Sequence, residues 1–90
     1  MPKTGIELIA AERQEQFTKH ERTIERDVKE NPNGELIDGA IACLTGNEGN
    51  FPINWDNNFT QNVVYKPIKE RLIIAGALIA AEIDRINYKK

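Results

Sequence analysis

Residues 72–81 place the strongest constraint on the fold, because these ten consecutive residues carry no charged side chain. Pro67, a favourable first-turn residue, predicts the start of a helix that continues to about Tyr88. Within residues 72–81 no face of that helix is polar, which is typical of a helix that is buried on all sides. Ten residues are too few to cross a bilayer, so we expect burial by protein and no membrane partner.

The length of the chain limits what can bury this helix. Ninety residues predict one helical domain, 1–90, since a chain of this size cannot divide into two cores. Two partner helices can hardly surround a third helix that is apolar all round. We therefore predict a homo-oligomer with this helix at the interface. Gly76 and Ala80, like Ala77 and Ala81, place small residues four apart, so that a neighbouring helix can approach closely.

Two further helices are predicted earlier in the chain. The first begins after Thr4, with Glu7 at capping-box spacing, and ends at the turn-forming residues 31–34. Residues 18–23 are dense in charge and lack apolar anchors, so the helix could break there. The second helix covers about residues 35–44 and carries a regular apolar stripe.

The connection from residue 46 to residue 65 is expected to be a long loop, because it contains six asparagines. It holds the aromatics Phe51, Trp55, Phe59 and Tyr65, which either plug the open end of the bundle or face a ligand. The predicted fold is therefore all-α. It is a small three-helix bundle with a long Asn- and aromatic-rich loop between helices 2 and 3, homo-oligomeric through helix 3.

Composition narrows the classes of function. A net charge of -2 argues against wrapping nucleic acid through a broad basic face. Cys43 is the only cysteine, which excludes an intrachain disulfide and fits a reducing cytosol. The first residues lack an apolar stretch of signal-peptide length, so we expect a cytoplasmic protein. The single histidine, His20, has no second ligand at metal-binding spacing and is expected at the surface.

The string LIAAE occurs twice, at residues 8–12 and 78–82, and ends each time in a carboxylate, Glu12 or Glu82. The repeat either brings the two carboxylates together or uses one packing solution twice. A duplication would extend the match beyond these five residues, and residues 13–15 have no likeness to residues 83–85. Packing is therefore the preferred interpretation.

Arg13 falls on the inward face of the first helix. A half-buried arginine needs a carboxylate or an anionic ligand. An ion pair with Glu35, Glu82 or Asp84 is one interpretation, and a phosphate or carboxylate clamp is the other.

Residues 65–71 place an aromatic ring and three cations at the start of the third helix. Exposed N–H groups and cationic side chains converge at such a helix terminus, so Tyr65, Lys66 and Arg71 form a candidate anion site. The alternative is that these are solvated charges at a helix start. Trp55 is a further candidate for stacking a base.

Four carboxylates are candidates for a metal site. Glu12, Glu35, Asp38 and Glu82 come from three predicted helices, and acidic residues from several helices of a bundle can hold a divalent metal. The all-α nucleotide pyrophosphohydrolases of the MazG type use such a cluster with Mg²⁺. In the alternative interpretation, Glu35 and Asp38 simply favour the dipole of the second helix from its first turn.

Several strings resemble a family of small proteins encoded by bacteriophages and prophages. They are LIAAERQ at residues 8–14, GEL at 34–36, FPINW at 51–55, YKP at 65–67 and AGALIAAEIDRI at 75–86. The resemblance covers most of the chain, and the closing string is its most specific part. Arg26 and Val28 depart from the family's acidic segment, where histidine and a second aspartate are usual. The resemblance implies an accessory protein acting in an infected bacterium, often against host defence.

Three functions follow from these observations. The first is a non-catalytic binding protein, without a cofactor, that sequesters a nucleotide immune signal or another small anionic ligand. In it Trp55 or Tyr65 stacks on the base, and Arg13, Lys66 and Arg71 hold phosphates. The second is a MazG-like, Mg²⁺-dependent pyrophosphohydrolase. The third is a host-protein-binding inhibitor that uses the acidic residues of the first helix: Glu7, Glu12, Glu15, Glu21 and Glu25.

Overall fold

The computed structural model describes residues 3–19 and 23–88. This part of the chain is all-helical, as predicted. Its α-helices are α1 (Gly5–Lys19), α2 (Ile24–Glu30), α3 (Glu35–Thr45), α4 (Asn57–Val64) and α5 (Ile68–Asn87), and a 3-10 helix covers Glu48–Asn50. His20, expected at the surface, lies outside the described residues.

The helix predicted from Thr4 to the turn at residue 31 is divided into α1 and α2. The capping box at the start of α1 forms as predicted: Glu7 Oε1 accepts from the backbone N–H of Thr4 at 2.8 Å, and Glu7 N–H donates to Thr4 Oγ1 at 3.3 Å. α2 has an N-cap of its own, because the Thr23 hydroxyl accepts from the backbone N–H of Arg26 at 3.2 Å. The second cap lies within residues 18–23, where the sequence allowed a break in the first helix.

The predicted loop of residues 46–65 contains α4, and this corrects the three-helix description of the chain. Asp56 caps α4, since its Oδ1 accepts from the backbone N–H of Asn58 at 3.0 Å. Asparagine is a weak helix former, so composition argued against a helix here. Burial of Thr60 and Val63, with Phe59 packed against the core, stabilises α4 through tertiary contacts instead.

α5 is the central element, and α1, α2 and α3 all pack against it. Two glycines permit the closest approaches. A Cβ on Gly39 of α3 would lie 2.5 Å from the ring of Trp55, and a Cβ on Gly76 of α5 would lie 2.6 Å from the side chain of Ile9. The small surface that the sequence places at Gly76 is therefore used by α1 of the same chain. The buried apolar core is formed by Leu36, Ala40, Ala42, Cys43, Phe51, Trp55, Val63, Ile74, Ala75, Ala77, Leu78 and Ala81.

α5 is not covered on all sides by residues 3–19 and 23–88. Leu72, Ile79, Ile83 and Ile86, here called the α5 stripe, are between 41% and 64% exposed. They lie on the face opposite Ile74, Leu78 and Ala81, which are buried. Across residues 3–19 and 23–88, no helix has the combination of length and apolar content needed to cross a membrane.

Candidate functional site

Arg13 is buried and lies between an aromatic ring and a carboxylate. Its Nη2 is 3.4 Å from Asp84 Oδ2, and its guanidinium carbon lies 4.2 Å from the centre of the Phe17 ring. Asp84 is one of the three ion-pair partners that the sequence suggested. Arg13 thus joins α1 to the C-terminal half of α5 through its ion pair with Asp84, while Phe17 of α1 packs against the guanidinium within its own helix.

Trp55 is also buried, and it belongs to an aromatic cluster. Its ring centre lies 5.9 Å from that of Phe51 and 6.1 Å from that of Phe59. The indole N–H donates to Asn31 Oδ1 at 3.1 Å, and the Asn31 amide N–H donates to Asp27 Oδ1 at 3.1 Å. This arrangement buries the indole ring against the middle of α3, beside Gly39, and fixes its orientation.

Tyr65, Lys66 and Arg71 lie together at the turn from α4 into α5. Tyr65 is 87% exposed, and Lys66 is exposed beside it. The Arg71 guanidinium instead turns toward the protein, where it donates to the carbonyl of Lys66 and to the carbonyl of Cys43, each at 3.1 Å. The Cys43 carbonyl is in the last turn of α3, so Arg71 caps that helix end and ties it to the turn before α5.

Two of the four carboxylates of the magnesium alternative share a neighbour, because Glu82, first through its hydrogen bonds, and Glu35, through its charge, both raise the pKa of Arg85. Glu12 accepts from the Gln16 amide at 3.4 Å, and Glu35 accepts from the Asn33 backbone at 2.6 Å. Asp38 is exposed. Glu82 accepts two hydrogen bonds from Arg85, at 2.7 and 3.0 Å, and these raise the pKa of the Arg85 guanidinium. In the described part of the chain, no three acidic, histidine or cysteine side chains are grouped to hold a metal ion.

A cavity of about 240 Å³, which the sequence did not predict, lies beside Trp55. One wall is α2 with its C-cap, and the other is the segment that leads into α4. The lining residues that bear on its chemistry are Arg26, Asp27, Glu30, Asn31, Trp55, Asp56 and Phe59. Asp27, Glu30 and Asn31 have the i, i+3, i+4 spacing of one helical face, and this spacing is the signal in the sequence that could have revealed the wall.

A second cavity, of about 270 Å³, lies between α1 and the start of α5. Lys66 lines it, and so do the carboxylates of Glu12, Glu15 and Glu70. The structure therefore places Lys66, predicted to hold phosphate, beside Glu12, predicted to hold metal. Phosphate would meet three carboxylates here, so the second cavity alone is a poor phosphate site.

Comparison of this chain with protein families, with curated proteins and with solved structures finds no match. The resemblance to phage-encoded proteins stays a prediction from the strings quoted above.

Proposed function

We propose that this chain is a non-catalytic binding protein that assembles with copies of itself through α5. The observation that carries the proposal is the α5 stripe, four large apolar side chains left half exposed on the central helix. Ile79, Ile83 and Ile86 follow each other at intervals of four and three residues, and Leu72 lies seven before Ile79. Such spacing is that of a coiled-coil seam, which a second helix covers.

The function proposed for the assembly is capture of a nucleotide or another small anionic ligand, as a phage-encoded protein directed against host defence. Tyr65 and Lys66 support this proposal, because both are exposed in the turn immediately before α5. Helix N-termini attract phosphate, lysine adds a cation, and an exposed tyrosine ring can stack on a base. Trp55 is packed into the aromatic cluster, so Tyr65 is the better stacking residue.

Arg13 and Arg71 have a positioning role in this proposal. Arg13 pairs with Asp84, and Arg71 donates to two backbone carbonyls, so both guanidiniums hold helices in place. If α5 pairs in parallel with its copy, two Tyr65–Lys66 pairs lie at the same end of the assembly. A single anionic ligand could then be shared between the two subunits.

The test combines sedimentation with a nucleotide panel. The purified chain is expected to sediment as a dimer or a larger species. It is then incubated with cyclic and linear nucleotides plus Mg²⁺, and the free ligand is chromatographed before and after heat denaturation of the protein. A ligand that disappears and returns intact supports capture. One that returns as monophosphate and pyrophosphate supports the magnesium-dependent hydrolase instead, and an unchanged panel points to a host-protein partner.

The nucleotide panel is repeated with two variants. The test variant carries Tyr65→Ala and Lys66→Ala together, and the control variant carries Lys29→Ala. All three side chains are exposed, so none of these changes should alter the stability of the fold. The double variant is expected to lose ligand retention by about tenfold or more, the effect of removing one stacked ring and one phosphate contact. The Lys29 variant should retain ligand like the unmodified chain. Equal retention by all three proteins would contradict the placement of the site at the start of α5.

A further inference from the structure

The cavity beside Trp55 has walls of three chemical kinds. Asp27, Glu30 and Asp56 contribute carboxylates, Asn31 contributes an amide, and Trp55 and Phe59 contribute aromatic rings. This combination differs from the cationic and exposed start of α5. We propose that the cavity is a binding site for a small organic cation that carries a primary ammonium or guanidinium group.

The charges of the lining residues predict that the ligand is positively charged. The described lining residues carry three carboxylates and one guanidinium, that of Arg26, and the charge of Asp27 also acts on Arg85. Arg26 Nε already donates to Glu30 Oε2 at 2.6 Å, so this cation is held by the wall of the cavity. A phosphate entering the cavity would meet an excess of negative charge, whereas an ammonium or guanidinium group would be attracted.

The hydrogen-bonding capacity of the lining carboxylates predicts a donor group at the polar end of the ligand. A carboxylate accepts about four hydrogen bonds. Asp56 Oδ1 accepts one from the backbone N–H of Asn58, and Glu30 accepts one from Arg26, so both keep capacity for donors. Ammonium and guanidinium groups are donors without acceptors, which is the complement of such a wall.

The wall is held in place before any ligand arrives. Asp27 is only 1% exposed and accepts from Asn31, which in turn accepts from the indole of Trp55. This chain of hydrogen bonds fixes a carboxylate, an amide and an aromatic ring relative to one another. Trp55 and Phe59 also line the cavity, where their rings can cover the alkyl part of the ligand.

Size gives an upper limit to the ligand. A volume of about 240 Å³ is below the usual range for drug-sized ligands, roughly 300–1,000 Å³. An aliphatic amine or guanidine of a few carbons fits this limit, whereas a nucleotide exceeds it. The proposed cation site is therefore separate from the nucleotide site proposed at Tyr65 and Lys66.

Trp55 is the only tryptophan of the chain, so its fluorescence reports on this cavity. The experiment titrates the full chain with 1,4-diaminobutane and with agmatine at constant ionic strength. The neutral isostere 1,4-butanediol is the ligand control. A saturable change of the emission with the two cations, and none with the diol, is expected. No saturable change, or the same change with the diol, would overturn the proposal.

Charge-neutralising variants identify the wall. Asp56→Asn keeps a good N-cap for α4, and Glu30→Gln keeps an acceptor for Arg26. Together they are expected to raise the dissociation constant for the diamine about tenfold, as expected for two partly exposed charge pairs. The matched control is Asp38→Asn with Glu48→Gln, which changes the net charge equally at two exposed positions.

The two outcomes for the variants have opposite meanings. Weaker binding in the cavity variant, with the control unchanged, supports the proposal. Equal weakening in both variants would show a general charge effect and overturn it. If the cavity variant does not fold, NMR of the unmodified chain is the second test. The indole N–H resonance of Trp55 is expected to shift with the diamine and to stay fixed with the diol, and any other result would overturn the proposal. Nucleotide retention is a separate readout, so either proposal can fail alone.

Discussion

At the scale of one residue, Arg71 stabilises the fold, although its neighbours in the sequence predicted that it binds a ligand. Its guanidinium donates to two carbonyls, and one of them, in Cys43, lies 28 positions away in the chain. Sequence spacing cannot reveal a bond to a distant backbone atom, because every residue offers the same carbonyl. Arg13 was more predictable, since a cation on an apolar helix face needs an acid and one of the suggested acids, Asp84, is its partner.

Arg71→Ala is expected to lower the free energy of unfolding by about 2 kcal/mol, the usual contribution of hydrogen bonds from a charged, half-buried donor. Urea unfolding followed by Trp55 fluorescence measures it. Lys69→Ala, an exposed cation two residues earlier, should change stability by less than about 0.5 kcal/mol. If the Arg71 variant keeps full stability and loses only ligand binding, Arg71 belongs to the anion site and does not mainly stabilise the fold.

Gly39→Ala tests the contact between α3 and the aromatic cluster. The added Cβ would lie 2.5 Å from Trp55 Cη2, so the indole or the helix must move. A cost of about 1–3 kcal/mol is typical of overpacking a core. Gly5→Ala is the control, because nothing lies within 4 Å of the new Cβ and alanine favours a helix. Equal melting temperatures for the two variants would contradict this close approach.

At the scale of helices, the sequence is informative where the stabilising contacts are local. The start of α1 was predicted because Thr4 and Glu7 are three residues apart and bond to each other. α4 was missed because its cap, Asp56, is useful only once Phe59 packs against Phe51 and Trp55. The cavity beside Trp55 was hidden for the same reason, since its second wall includes the start of α4.

The capping box gives α1 a predictable dependence on pH. The hydrogen bonds from Thr4, first the backbone N–H and then the side chain, lower the pKa of Glu7. A lowered pKa means that the charged carboxylate stabilises the folded state above the ordinary pKa of glutamate. This contribution is lost as the pH falls through the lowered value. NMR titration should show the pKa of Glu7 rising part of the way toward its ordinary value in Thr4→Ala, because the side-chain hydrogen bond is lost and the backbone N–H remains. Thr18→Ala, at the other end of α1, should leave the pKa of Glu7 unchanged.

At the scale of the molecule, residues 72–81 are apolar on every side, but contacts among the described residues bury only part of α5. α1 and α3 cover two sides of α5, and the α5 stripe faces outward between 41% and 64% exposed. The sequence predicted that α5 would be buried on all sides, and only the fold shows which of its faces is left exposed. Full burial of an exposed isoleucine contributes about 1.5–3 kcal/mol. Ile79 and Ile83 are 41% and 54% exposed, so burying each in a dimer would contribute roughly half of that, and two from each subunit would still supply much of the affinity.

Ile79→Lys with Ile83→Lys is therefore expected to raise the dissociation constant of the assembly by about 100-fold or more, since each 1.4 kcal/mol is a factor of ten. Sedimentation velocity across a range of protein concentrations measures the change. Both side chains are partly exposed in the protomer, so helical content should be retained. Ile53→Lys is the matched control, because Ile53 is fully exposed outside α5 and should not affect association. If the unmodified chain is monomeric, self-association through the α5 stripe is contradicted. A different protein would then be the expected partner of the stripe, and the host-protein-binding inhibitor would become the leading function.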